Sequence, residues 1–377
     1  MSLKMVVVAG ARPNFMKIAP LLRKAADYES RRDATALRLE TFLVHTGQHY
    51  DPNMSDVFFR ELGIRPPDIN LGVGSGTHAL QTAQIMMGFE GVCERLRPDW
   101  VVVVGDVNST VACTLVCAKL GIPVAHVEAG LRSFDRTMPE EINRLVTDAL
   151  ADLLFTPSRD ADENLAREGV SAGKIKLVGN IMIDCLIDNL PQARSSRILD
   201  EVGAAPGRFI YVTLHRPANV DERAGLAAIW ATLGRVAARL PVVCPIHPRT
   251  RKKLEEFGLG SPSHPGLRLL EPIGYHASLA LTEKARLVLT DSGGLQEEAT
   301  FFRTPCLTLR PNTERPVTVT LGSNRLTRLE SLEADVADAL NGPERLGQIP
   351  PLWDGRTAER ILACLLEAGP RTQDRPR

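Results

Sequence analysis

Three carboxylates stand beside short apolar runs that read as strands. Asp106 follows residues 101–105, Glu128 closes residues 123–127, and Glu140 opens the segment Pro139-Glu140-Glu141-Ile142-Asn143-Arg144. A single acid at a strand end is ordinarily a helix cap, and Asp106 ahead of Ser109 and Thr110 has that reading open to it. Three in one half of a chain also suit proton transfer, because a partly desolvated carboxyl can titrate in a useful range. Glu140 and Arg144 are four apart, so a surface ion pair is the competing reading for that segment.

A second kind of chemistry is written in Asp291-Ser292-Gly293-Gly294-Leu295-Gln296-Glu297-Glu298. Small residues between a strand and a helix let backbone N–H groups approach a phosphate, and the helix dipole favours the negative charge. The plainer alternative is a capped helix, with Ser292 as N-cap and the glutamates complementing the dipole. Glu297 or Glu298 could accept hydrogen bonds from ribose hydroxyls. Cations that could meet an anion follow other apolar runs: Arg12 and Lys17, His215-Arg216, His247-Pro248-Arg249, then Arg310 and Arg315. Taken singly, Arg310 and Arg315 read as solvated loop charges. His45 and His49, with Asp51 nearby, have a spacing that on a helix would suit a metal; around Thr46-Gly47-Gln48 the chain reads as strand end and loop, so no metal is expected.

Positioning these groups requires strand ends. β-branched runs at residues 5–9, 40–45, 100–105, 123–128 and 153–156, ending near 175–179, alternate with helical patterns, as parallel strands joined by crossover helices do. After a charge-rich stretch at 190–208, a second set follows at 209–214, 241–246, 267–270, 287–290 and 306–309. The expected fold class is α/β: two Rossmann-like domains facing across a cleft, an N-terminal domain of residues 1–190 carrying the acids and a C-terminal nucleotide-binding domain of residues 191–355. Residues 356–377 hold a closing helix.

At 377 residues, with 44% hydrophobic and 24% charged content, the chain suits two packed domains. Forty-five basic residues balance 45 acidic ones, which speaks against a nucleic-acid or membrane-surface partner. The apolar runs are far shorter than the ~20 residues that span a bilayer, and no leader pattern is seen, so a cytoplasmic location is expected. Seven scattered cysteines read as reduced thiols.

The strings Gly10-Ala11-Arg12-Pro13, His45-Thr46-Gly47-Gln48-His49, Gly105-Asp106, His126-Val127-Glu128-Ala129-Gly130-Leu131-Arg132, Pro139 to Arg144, His215-Arg216, Asp291 to Glu298 and Thr313-Glu314-Arg315-Pro316 together resemble the non-hydrolysing UDP-N-acetylglucosamine 2-epimerases. The resemblance implies a glycosyltransferase-B-like fold whose last helix returns to the first domain. It implies elimination of UDP across C1 and C2 to a 2-acetamidoglucal, then re-addition after protonation on the other face, with no cofactor. Carried over by motif, Asp106, Glu128, Glu140 and His215 are the catalytic set. Arg12, Lys17, His247, Ser292, Gly293, Gly294, Glu298, Arg310 and Arg315 match positions that bind phosphates and uridine. A homodimer and a role in surface polysaccharide synthesis are likewise implied.

Two strings depart from the pattern. Ala11 and Asn14 stand where many bacterial members have threonine and glutamate, and Tyr50 follows Gln48-His49 where they have arginine. The latter segment contributes to an allosteric substrate site in those members, so the resemblance does not extend to regulation here. Residues 10–17 look closer to relatives that epimerise UDP-2,3-diacetamido-uronic acids. Other readings of the same motifs are a hydrolysing epimerase, a glycosyltransferase and a non-enzymatic nucleotide-sugar sensor.

Overall fold

The computed structural model describes residues 2–48, 59–260, 264–342 and 346–370, with the side chain of Arg12 excepted. The chain divides into two compact units, Met1–Asp188 with Pro351–Arg377, and Asn189–Pro350.

The first unit is built on a seven-stranded parallel sheet in the order β3-β2-β1-β4-β5-β6-β7. Its strands are β1 (Ser2–Ala9), β2 (Arg38–His45), β3 (Ile69–Asn70), β4 (Trp100–Val104), β5 (Val124–Val127), β6 (Leu153–Thr156) and β7 (Ile175–Leu177). β4, Trp-Val-Val-Val-Val, is buried at every position, as a strand covered on both faces must be. Four helices bear on the site: α1 (Arg12–Arg31), α2 (His78–Leu96), α3 (Asn108–Leu120) and α4 (Pro139–Leu150). α1 and α4 each carry a proline in the first turn, Pro13 and Pro139, where its missing N–H costs nothing. One core joins β1, β4 and β5 to α2 and α3 through Val6, Val8, Phe89, Val101, Val103 and Val116.

The second unit holds a six-stranded parallel sheet, β10-β9-β8-β11-β12-β13, formed by β8 (Ile210–Thr213), β9 (Val242–Pro245), β10 (Leu267–Leu270), β11 (Leu287–Thr290), β12 (Cys306–Leu309) and β13 (Asn324–Thr327). Both faces carry an apolar cluster, one around Trp230 and Leu233, the other around Phe209 and Tyr211. α5 (Gly293–Phe302) follows β11, and α6 (Thr357–Ala368) belongs to the first unit. There the Asp184 carboxylate accepts from Ala358 N at 2.8 Å, and the Trp100 indole donates to Gly369 O at 3.1 Å. Two strands escape the sequence reading, β3 and β13; the first has two residues and the second, Asn-Arg-Leu-Thr, lacks an apolar run. Among the described residues no helix is long and apolar enough to cross a membrane.

Candidate active site

In the first unit the polar groups gather where β1, β4 and β5 end. The Asn14 carboxamide closes the turn after β1, its oxygen accepting from Gly10 N at 2.9 Å and Ala11 N at 3.1 Å while its nitrogen donates to Val104 O at 3.1 Å. One turn further along α1, the Lys17 ammonium lies directly on the Glu128 carboxylate, and both side chains are buried. Glu128 is one of five described non-glycine residues with positive φ, at 68°. A left-handed backbone at such a residue costs on the order of 1 kcal/mol and survives only where its surroundings enforce it. Here Ala129 N donates to Phe155 O at 3.1 Å and Gly130 N to the Asp148 carboxylate at 3.0 Å, which fixes the turn just after Glu128.

Asp106 begins the loop after β4 and is about one quarter exposed, with 28% of its side chain accessible. Its carboxylate meets the Arg144 guanidinium, and its carbonyl accepts from Asn143 Nδ2 at 2.8 Å, so α4 holds it by two successive side chains. Asp106 makes no cap, since the N-cap of α3 is Val107 without a side-chain bond. Arg144 is buried between Asp106 and Glu141, which overturns the surface pair with Glu140. Burial would raise the Glu141 carboxyl, but N–H donors of Ser133 and Phe134 together with Arg144 hold it below the ordinary carboxylate range. Glu140 is exposed at the helix start and has no hydrogen bond or ion pair among the described residues. Lys17 and Glu128 are therefore joined, Asp106 is held by α4, and Glu140 stands apart from all three. His45 accepts from Gly47 N at 3.1 Å, and burial lowers its pKa. His49, Tyr50 and Asp51, like the side chain of Arg12, lie outside the described residues.

The second unit's polar groups centre on Asp291, which is fully buried at the end of β11. Its carboxylate accepts from the backbone N–H groups of His215 and Arg216 and from Asn219 Nδ2, at 2.8–3.1 Å, and pairs with the His215 ring at 3.0 Å. Burial pushes this carboxyl up; His215, Asn219 and the Arg216 N–H outweigh it and keep it low. The His215 ring, 38% exposed, lies 5.2 Å from that of His247.

Ser292 occupies the N-cap position of α5, yet its hydroxyl makes no capping bond, and no acid stands in the first turn. Both halves of the plain capped-helix reading are thereby removed, and the helix presents its first N–H groups beside Gly293 and Gly294. A Cβ on Gly293 would lie 2.5 Å from Arg315 Nη1 and 2.8 Å from Glu314 Oε1, so a larger residue here would have to displace that ion pair.

Arg310 and Arg315 are not solvated loop charges, because both are buried around Glu314. Arg310 Nη2 reaches Glu314 at 2.7 Å, Arg315 pairs with Glu314 and with Glu297 at 2.8 Å, and Arg216 approaches Glu314 at 3.8 Å. Although burial opposes it, the neighbouring Arg315 and Arg310 hold the Glu314 carboxyl far below the usual range. Arg310 Nη1 is buried with no partner among the described residues, leaving one guanidinium edge for an incoming anion. Glu298 is buried without an ion pair among the described residues, and burial together with the charge of Glu297 pushes its carboxyl up to about 8. Glu314 and Asn14 were not singled out by sequence reasoning; the visible signals were a glutamate between cationic positions in Thr313-Glu314-Arg315 and an asparagine three residues after the first strand's turn.

A family model described as UDP-N-acetylglucosamine 2-epimerase matches residues 32–366. A UDP-N-acetylglucosamine 2-epimerase of Methanocaldococcus jannaschii is 40% identical over 372 residues, covering 96% of this chain and 99% of that one. The UDP-2,3-diacetamido-2,3-dideoxy-D-glucuronate 2-epimerase of Pseudomonas aeruginosa is 42% identical over 327 residues, 86% of this chain and 88% of the relative. Among solved structures, the M. jannaschii UDP-GlcNAc 2-epimerase in complex with UDP-GlcNAc and UDP aligns with a TM-score of 0.86 over 97% of this chain and 100% of that chain.

Proposed function

Because the chain belongs to the UDP-N-acetylglucosamine 2-epimerase family, we propose that it inverts carbon 2 of a UDP-N-acetylhexosamine, UDP-GlcNAc to UDP-ManNAc, by elimination and re-addition of UDP. A carboxylate takes the C2 proton while the C1–O bond breaks and its electron pair leaves on the UDP oxygen, giving a 2-acetamidoglucal. Proton return to the opposite face of C2 and attack of the UDP oxygen at C1 complete the cycle. The observation that carries this reading is Glu128, buried, held by Lys17 and fixed in a left-handed turn beside the segment that bears Asp106. A carboxylate kept ionised and fixed in place can take a proton from a substrate held against it.

Asp106, Glu128 and Glu140 are the proton-transfer candidates in the first unit, and His215 is the candidate in the second. Charge building on the departing diphosphate is met by His215, His247, Arg310, Arg315 and the N–H groups of Ser292, Gly293 and Gly294, with Arg12 and Lys17 as further cations. Glu298 takes the ribose hydroxyls. No cofactor or metal is invoked. The relationship to the diacetamido-glucuronate epimerase favours a second substrate with the same C2 chemistry and a different C3 and C6 pattern.

Incubation with UDP-GlcNAc in D₂O tests the reading. Deuterium at C2 of recovered nucleotide sugar, with UDP-ManNAc formed, is expected; accumulation of free sugar and UDP, or UDP binding with no exchange, overturns it. Glu128→Gln should abolish exchange and leave UDP affinity within a few-fold. Running the diacetamido-uronate derivative beside UDP-GlcNAc ranks the two substrates.

A homodimer in the cytoplasm is part of the proposal. Leu80, Ala83, Met87 and Gly91 form one exposed line on α2, with Met87 76% accessible, and a second copy of this chain is the occupant proposed for it.

A further inference from the structure

The HVEAGLR string contains a second ionisable residue that the proposed chemistry leaves unused. His126, on β5 two residues before Glu128, is fully buried, with Nδ1 2.6 Å from Asp148 Oδ1 and Nε2 2.8 Å from the Gly105 carbonyl oxygen. A backbone carbonyl only accepts. Asp148 already accepts at Oδ2 from Gly130 N at 3.0 Å and from the Arg132 guanidinium, so this carboxylate too is an acceptor. A neutral ring has one N–H and would turn a lone pair toward one of these oxygens; only a ring with a hydrogen on each nitrogen satisfies both.

The charge is matched locally. Asp148 Oδ2 accepts from Arg132 Nη1 at 2.7 Å, and Arg132 in turn makes a two-pronged contact with Glu168 at 2.8 and 2.7 Å. His126, Asp148 and Arg132 are buried, and Glu168, with 35% of its side chain accessible, balances the remaining charge from the solvent edge. The working end of this group is Gly105. That residue's N–H donates to Val127 O at 3.0 Å and its carbonyl accepts from His126, so β5 grips it from both sides. Gly105 has φ of 65°, and a Cβ there would meet Lys17 Nζ at 2.6 Å, which places it against the Lys17–Glu128 pair. Asp106 is the next residue.

We infer that His126 is a positioning residue for the epimerisation, a doubly protonated ring that clamps the Gly105 carbonyl and so sets where Asp106 and Glu128 stand. It touches no reacting atom itself. Relaxing the 105–106 turn would displace the carboxylates, and misplacement of about 1 Å can cost on the order of 10²-fold in rate.

The inference rests on the roles proposed for Asp106 and Glu128, and its tests separate the two. Ring nitrogen NMR of the intact, histidine-labelled protein should show both nitrogens of His126 protonated at the pH of the exchange assay; a neutral tautomer overturns the inference whether or not the protein epimerises. For turnover, His126→Gln should lower kcat for UDP-GlcNAc about a hundredfold with KM and UDP affinity within about threefold. An unchanged kcat in folded His126→Gln, or a loss confined to KM, overturns it. Absence of exchange in the unaltered protein would instead remove the proposed function and leave the NMR result standing. His126→Gln/Asp148→Asn, which restores the charge balance, should fold better than His126→Gln yet remain slow; recovery of full kcat would show that charge balance, not the clamp, mattered.

Discussion

Lys17→Met isolates the buried ion pair on which the first unit's acid depends. Lys17 is 6% and Glu128 4% exposed, so water cannot replace the ammonium once it is gone. Removing one partner of a buried pair typically costs 3–5 kcal/mol, whereas removing both is often close to neutral. Taking about 3 kcal/mol and roughly 2–4 °C per kcal/mol for a unit of this size, the melting midpoint should fall by about 6–12 °C at pH 7. Calorimetry of Lys17→Met, Glu128→Gln and the double variant measures this, and the double variant should recover most of the loss because no unbalanced charge remains. Neither Lys17→Met nor the double variant should exchange the C2 proton at the normal rate. A single variant within 1 °C of the unaltered protein, or a double variant no more stable than Lys17→Met, would show that the pair is not a desolvated one.

Glu298 gives the molecule a pH signature. Its carboxyl sits at about 8 in the folded chain against an ordinary value of 4.5, so the folded state alone keeps the proton between these limits. Stability from this group is therefore full below about pH 4.5 and lost as pH rises to about 8, at up to ~1.4 kcal/mol per pH unit. Glu298→Gln should flatten that slope in urea titrations between pH 5 and 8, and parallel curves would contradict the assignment. Gly293→Ala drives a methyl into the Arg315–Glu314 contact and should weaken UDP binding about tenfold by calorimetric titration, consistent with ~1–3 kcal/mol of overpacking; unaltered affinity would mean that the arginine yields freely. Met87→Asp should shift the mass measured by light scattering from dimer to monomer without lowering UDP affinity, and an unchanged mass would place any interface elsewhere.

Strand-end logic located the polar groups because β4 and β11 are continuous apolar runs whose ends are visible in the sequence. β13 was not visible, since its polar Asn324 lies buried beneath the sheet edge and donates to Gln296 at 3.2 Å, a partner 28 residues away. The anion-binding turn was legible as Ser-Gly-Gly, but what crowds it was not: Arg315 and Glu314 come from the following strand's loop. Arg144 was legible as a helix residue, whereas its choice of Asp106 and Glu141 over Glu140 follows from which side of α4 faces the sheet. Pairings such as Lys17 with Glu128, 111 residues apart, depend on register between β1, β4 and β5, which no local pattern encodes.

The return of α6 to the first unit bears on the order in which the protein can be made. Residues 351–370 pack against segments translated far earlier, so the amino-terminal sheet emerges without the helix that covers α1 and without the Gly369 carbonyl that receives the Trp100 indole. At ~5–20 residues per second, synthesis of the intervening 189–350 segment keeps the first unit without that helix for roughly ten to thirty seconds. The unit bearing the carboxylates should be the last to become protease-resistant on the ribosome.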